Sequence, residues 1–309
     1  MIISISRRTD IPAFFSEWFY NRIEDGYFMV RNPMNIHQVS KVTVTPQNAE
    51  CLVFWTKNPS FSFIENLPKL DEKGFNYYFQ FTITSYAQDI EKSVSRKTEI
   101  IEKFQKLSNQ IGKEKVIWRY DPIILNKKYN FDYHIKYFEY IAEKLSAYTE
   151  KVIISFVDCY SKIKTRLQEN EITELSQEEM RKLGIALKQI AEKHNLKIES
   201  CSETIDFDDI GIPHGHCIDG ELINRICQRN FIFKKDKTQR KECGCVTSVD
   251  IGSYNTCRHN CAYCYATWNG IIPNSIDNSS PLLGSVLSNE DKVTERKIPV
   301  LKEYNPELF

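Results

Sequence analysis

The chain has 309 residues, enough for one large domain or a domain with an appendage, and its 41 Lys and Arg balance 41 Asp and Glu. A formal charge of zero excludes a global field drawing it to nucleic acid or anionic lipid. The start MIISISRRTD meets charge too soon for a secretory signal, and no uncharged apolar run nears the roughly 20 residues that cross a bilayer. A cytoplasmic location is therefore expected, with reduced thiols and no membrane partner.

Apolar segments rich in β-branched and aromatic residues predict buried strands at residues 2–5, 51–55, 77–83, 116–118, 152–157 and 196–198. Amphipathic stretches at 14–23, 93–107, 133–145 and 178–194 have the length and spacing of crossover helices, and 27–31 with 39–45 suits an extra hairpin. Alternating strand and helix implies a parallel sheet covered by helices. The first turn reads SRRTDIP where a dinucleotide-binding sheet carries glycines, so the expected fold is α/β, a partial or complete TIM-like parallel barrel. Residues 1–230 would form the barrel. Residues 231–309, opening with the solvated run KKDKTQRKE, would form a C-terminal cysteine-rich cap and tail on its mouth.

Polar groups gather where the predicted strands end. Arg7, Arg8, Lys57 and Arg119 suit a carboxylate or phosphate, the arginines through paired hydrogen bonds and the lysine as a mobile charge. Asp121, Asp158 and Glu203 are the candidate catalytic groups, for orientation or proton transfer, while Asp10, Asp121 and Asp158 each serve equally well in a cap or loop hydrogen bond. A parallel barrel brings all these ends to one face, around one small polar or anionic ligand.

Five of the ten cysteines fall between residues 243 and 264. In CRHNCAYC, Cys257, Cys261 and Cys264 are spaced CxxxCxxC, and three such thiolates can hold three irons of a [4Fe-4S] cubane while leaving the fourth open. S-adenosylmethionine could chelate that iron and be cleaved reductively to a carbon radical. Cys243 and Cys245 flank Gly244, whose freedom lets two thiolates approach one metal; with Cys201 and Cys217 they could complete a second iron-sulfur cluster or a four-thiolate zinc site. Cys51, Cys159 and Cys227 have apolar neighbours and are expected to be packing residues. His214, His216 and His259 are expected to hydrogen-bond, and Tyr263 to shield or stack beside the cofactor.

The CxxxCxxC loop, with Tyr263 before its last cysteine, resembles the cluster loop of radical S-adenosylmethionine enzymes, and its CxYCY part is similar to spore photoproduct lyase. The longer series SISRRTDIP, FWTKNP, WRYDP, SFVDCY and CGC followed by DIGSYNTCRHNCAYCYA resembles a family of domains of unknown function related to that superfamily, from Ser4 to Ala266. The resemblance implies a [4Fe-4S] cluster on the triad, S-adenosylmethionine as cofactor and a reducing electron donor as partner. Such enzymes usually carry the loop after the first strand. Here it lies near the other end, so the tail must fold back over the strand-end face. The expected function is radical chemistry on a small polar substrate; the alternatives are an electron-transfer or redox-sensing iron-sulfur protein and a zinc-stabilised binding protein.

Overall fold

The computed structural model describes residues 1–268, 276–297 and 301–304. Strand β1 (Ile2–Ile5) is followed by the hairpin β2 (Tyr27–Asn32) and β3 (Asn35–Thr43), then by β4 (Cys51–Thr56), β5 (Tyr77–Thr82), β6 (Val116–Ile123), β7 (Lys151–Phe156) and β8 (Lys197–Ser200). Short strands β9 (Phe231–Ile232) and β10 (Val249–Asp250) come next, with β11 (Lys292–Glu295) parallel to β3 and β12 (Lys302–Glu303) antiparallel to β9. All six predicted core strands are present. β6 runs on to Ile123 because Arg119 and Asp121, which interrupt its apolar run, occupy one face while Tyr120 keeps the other buried.

The main sheet is parallel throughout, in the order β10-β1-β4-β5-β6-β7-β8. The order from β1 to β8 never reverses, so the sheet lacks the switch point of a doubly wound fold. Its edges, β8 and β10, are not paired with each other among the described residues. Loops bridge that seam: Gly215 N donates to Ser200 O (2.7 Å) beside β8, and Val246 N to Ile218 O (3.0 Å) nearer β10. The protein is thus an α/β fold around a seven-stranded parallel sheet, to which the region after residue 230 contributes a strand.

Helices Ser16–Asp25, Lys97–Ile111, Phe131–Leu145 and Gln177–Lys193 cover one face, burying Phe19, Phe104, Phe138 and Leu187 against Phe54, Phe81 and Trp118. Truncating such a side chain to alanine costs about 3–5 kcal/mol. The predicted helix 14–23 is two pieces, Ile11–Phe14 and Ser16–Asp25, broken at Phe15. On the opposite face Ile2, Val53, Tyr78, Ile117 and Ile153 form an apolar floor, filled by Ile218, Leu222 and Ile223. Two residues further along the strands that face turns polar, with Ser4, Gln80, Arg119 and Ser155. The pleat therefore puts a reactive layer directly above an apolar one. No helix among the described residues is long and apolar enough to cross a membrane.

Candidate active site

A cavity of about 700 Å³ opens at the carboxyl ends of the strands, within the ordinary range for ligand pockets. Every candidate residue read from the sequence lines it: Arg7, Arg8, Lys57, Arg119 and Tyr263; Asp121, Asp158 and Glu203; and all seven cysteines. A smaller cavity of about 230 Å³ lies elsewhere, among groups that satisfy each other: Lys151 Nζ donates to Glu199 (2.9 Å) and to Asp219 (3.1 Å).

The four cations are held differently. Buried Arg119 donates through Nε to Asp121 (3.0 Å) and through Nη1 to Cys217 Sγ (2.8 Å), and lies over the Trp55 ring at 5.2 Å. Lys57 Nζ donates to Glu91 (2.7 Å) and Arg8 Nη1 to Gly252 O (3.3 Å), with the Arg8 guanidinium 5.0 Å from the Tyr254 ring. The Arg7 guanidinium donates no hydrogen bond among the described residues and only pairs with Asp250 at 3.8 Å. Asp250 accepts from Ser4 (3.0 Å), Ser6 (2.5 Å), Arg7 N (2.8 Å) and Gly252 N (3.0 Å), and so anchors the SRR turn across the β1–β10 pair. Gly252 permits this approach, since a Cβ there would stand 2.0 Å from Ser6 Oγ.

The triad loop is locked from behind. Cys261 forms an antiparallel bridge with Glu91, and Ala262 N donates to Ile90 O (2.8 Å). Glu91 is 1% exposed and accepts from Lys57, Lys97, Tyr263 and Thr84. Burial alone would raise its pKa, but the two lysines hold the carboxyl well below the usual range. Asp10 caps the first helix at Ala13 N (3.0 Å) and also receives Lys57 N (2.7 Å) and His259 Nε2 (2.7 Å), fixing the loop from the other side. Burial, with Cys264 and Asp10 nearby, pushes the Cys257 thiol up to about 12. No hydrogen bond joins the three triad sulfurs, while burial and the nearby Cys264 raise both Cys257 and Cys261.

Cys201, Cys217, Cys243 and Cys245 line the cavity as well, and two of them meet: Cys201 Sγ lies 3.0 Å from Cys217 Sγ. Cys245 is near enough to both Cys217 and Cys243 to shift their thiols, and it lowers Cys243 to about 7. Gly244 is not in the left-handed region; it is needed because a Cβ there would stand 2.2 Å from the His216 ring, which accepts the loop closely and bonds Gly244 O at 2.6 Å. Among the described residues no three His, Cys, Asp or Glu side chains converge on one point in the manner of a metal site.

Asp121 is clamped by Arg119 and Ser155, which outweigh the effect of burial and keep its pKa low. Asp158 stands at the exposed rim, paired with Arg240 (2.5 Å), so the run 234–242 is more than a solvated stretch: Thr238, Gln239 and Arg240 line the cavity. Burial lifts Glu203 to about 8, and its carboxyl accepts from Phe156 N (2.8 Å). Thr9 Oγ1, Thr56 Oγ1 and His259 Nδ1 are buried with no partner among the described residues, and all three residues line the cavity. Such groups are satisfied in most folded proteins, so they mark where a ligand's polar atoms can bind. Sequence reading passed over Glu91, Lys97, Asp250 and Arg240, which lie outside apolar runs and ligand spacings. Cys159 proves exposed because it falls beyond the last buried residue of the loop after β7. Cys51 is buried, and Cys227 is half-buried with its thiol 3.3 Å from Glu50 O.

Residues 2–266 match the model of the domain of unknown function DUF1848. The chain belongs to this family. The match spans the strand-end arginines, the quartet and the triad, so within DUF1848 one domain model covers both thiol groups. No curated protein matches the chain. The crystal structure of a "putative alpha-L-fucosidase" from Bacteroides thetaiotaomicron aligns over 58% of this chain and 83% of its own at 10% identity, with a TM-score of 0.26, too distant to bear on the function.

Proposed function

We propose that the protein is an iron-sulfur enzyme that uses S-adenosylmethionine for radical chemistry on a small polar or anionic substrate. The observation that carries this reading is three buried or half-buried thiols on one loop, lining a 700 Å³ cavity with no hydrogen bond between their sulfurs. That donor set suits a [4Fe-4S] cluster, because sulfurs that bind different corner irons must stay apart. Cys257, Cys261 and Cys264 would hold the cluster, whose chemistry would be electron donation into the cofactor's carbon–sulfur bond, with a reducing electron donor as partner.

The chain's own residues hold and orient the ligands. Arg7 retains its guanidinium donors for a carboxylate or phosphate. Thr9, Thr56 and His259 Nδ1 offer polar atoms that a ligand satisfies. Lys57 and Tyr263 are tied to Glu91, and so present a fixed wall beside Cys261. Glu203 keeps its proton near neutral pH and can donate it, whereas Asp121 stays ionised and positions Arg119. In this reading residues 1–230 form a barrel-like wall, and residues 231–309 form its cap and tail; 269–275, 298–300 and 305–309 lie outside the described residues.

Anaerobic reconstitution with iron and sulfide tests the proposal. The cluster's spectrum is expected to change when S-adenosylmethionine is added, and reduction is expected to release methionine and 5′-deoxyadenosine. An unchanged spectrum with intact cofactor would overturn it.

A further inference from the structure

We infer that Cys201, Cys217, Cys243 and Cys245 bind one tetrahedral zinc ion that closes the seam between β8 and β10. This goes beyond the reaction proposed above and does not depend on it. The four residues come from the three stretches that bound the seam. Cys201 follows β8, its N donating to Ile154 O (2.8 Å); Cys217 lies in the bridging loop; and Cys243 and Cys245 lead into β10. Among the described residues no strands pair there, so an ion shared by all three would supply the missing link.

Sulfur spacing decides between one ion and a cluster. A zinc–sulfur bond of about 2.3 Å in a tetrahedron puts neighbouring sulfurs about 3.8 Å apart. In a cubane each protein sulfur binds a separate iron, and the core holds the sulfurs well apart. The Cys201–Cys217 pair follows the first plan: its sulfurs lie 3.0 Å apart, too close to serve two corners of a cubane, and Cys243 and Cys245 line the same cavity beside it. The four side chains do not converge on one point in this structure, so binding must draw Cys243 and Cys245 in toward the Cys201–Cys217 pair.

The surroundings also suit thiolate ligands. Arg119 Nη1 donates to Cys217 Sγ (2.8 Å) and Ile218 N to Cys245 Sγ (3.3 Å), as groups around metal-bound thiolates do. Cys217 is fixed through its backbone too, its carbonyl accepting from Tyr78 OH (2.8 Å) and Gln80 Nε2 (2.7 Å). A four-thiolate ion at this place has no open position for substrate. Its effect on the cavity is to hold Cys217, and through it Arg119, in position.

Full-length protein purified anaerobically, and its Cys217→Ala and Cys261→Ala variants, are assayed for zinc, iron and sulfide. One zinc per chain is expected in wild type and in Cys261→Ala, with at least a tenfold loss in Cys217→Ala. Iron bound by the quartet, or zinc that Cys217→Ala retains, would overturn the inference, whereas loss of iron from Cys261→Ala alone bears only on the triad. Should Cys217→Ala fail to fold, zinc-edge X-ray absorption of wild type decides. Four sulfurs at about 2.3 Å are expected; nitrogen or oxygen ligands, or no zinc, would contradict it.

Discussion

Cys257, Cys261 and Cys264 come from eight consecutive residues, and no hydrogen bond joins their sulfurs. Cys201, Cys217, Cys243 and Cys245 come from three stretches spread over 45 residues of chain, and Cys201 meets Cys217 sulfur to sulfur at 3.0 Å. Both groups line one cavity. Their supports differ as well: the triad loop rests on the charged Glu91 hub and on Asp10, the quartet on an apolar floor with one arginine. A local turn thus presents three thiols with no bond between their sulfurs, suited to several irons, whereas a set assembled by the fold brings a pair of sulfurs together beside two more, suited to one ion.

The largest effect expected from this contrast is complete and one-sided. Cys261→Ala is predicted to abolish iron and sulfide binding while leaving quartet zinc in place, as elemental analysis would show. Parallel loss of both metals would mean that the two groups act as one site.

Removing the charged support comes next. Glu91→Ala leaves Lys57 and Lys97 without their buried partner, and is predicted to cost about 3–5 kcal/mol in urea unfolding. It also loosens the triad loop, lowering iron occupancy more than zinc. A loss below 1 kcal/mol would show that Glu91 does not anchor the loop.

Acid provides a third separation, since the titrating supports lie on the triad side. Burial lowers His134 to about 4, and its Nδ1 bonds Tyr120 OH (2.8 Å) behind the Tyr86–Tyr263 pair. Its folded pKa lies below the unfolded value near 6.5, so as pH falls from about 6.5 to 4 only the unfolded chain gains the proton. The metal-free protein is predicted to lose up to about 3 kcal/mol across that window. His134→Gln should flatten the loss measured by urea unfolding, and an unchanged slope would remove His134 as its source.

The smallest effect concerns the quartet's arginine. Arg119→Met is predicted to weaken zinc binding about 10- to 100-fold, as loss of groups supporting metal ligands does, with triad iron unchanged. Competition with a chelator measures it, and equal zinc affinity would mean that the Arg119 contact is incidental.

Legibility in the sequence followed the same contrast. Strands read as apolar runs because both faces of the sheet are covered, and the triad read as ligands because its spacing is local. The quartet's members were recognisable singly, but only the seam brings Cys201 against Cys217. Glu91 and Asp250 carry no such signal. Each matters through partners from distant segments: Glu91 gathers Lys57 and Tyr263, and Asp250 holds Ser6 and the Arg7 backbone. Gly244 was legible as a constraint, but the constraint is the His216 ring against it rather than a left-handed backbone.

The most direct test of the reaction assigned to the triad is Mössbauer spectroscopy of the protein reconstituted with iron-57. Three cysteine-bound irons and one open iron predict a three-to-one pattern, in which the minor component shifts when S-adenosylmethionine is added. Four equivalent irons that ignore the cofactor would contradict it.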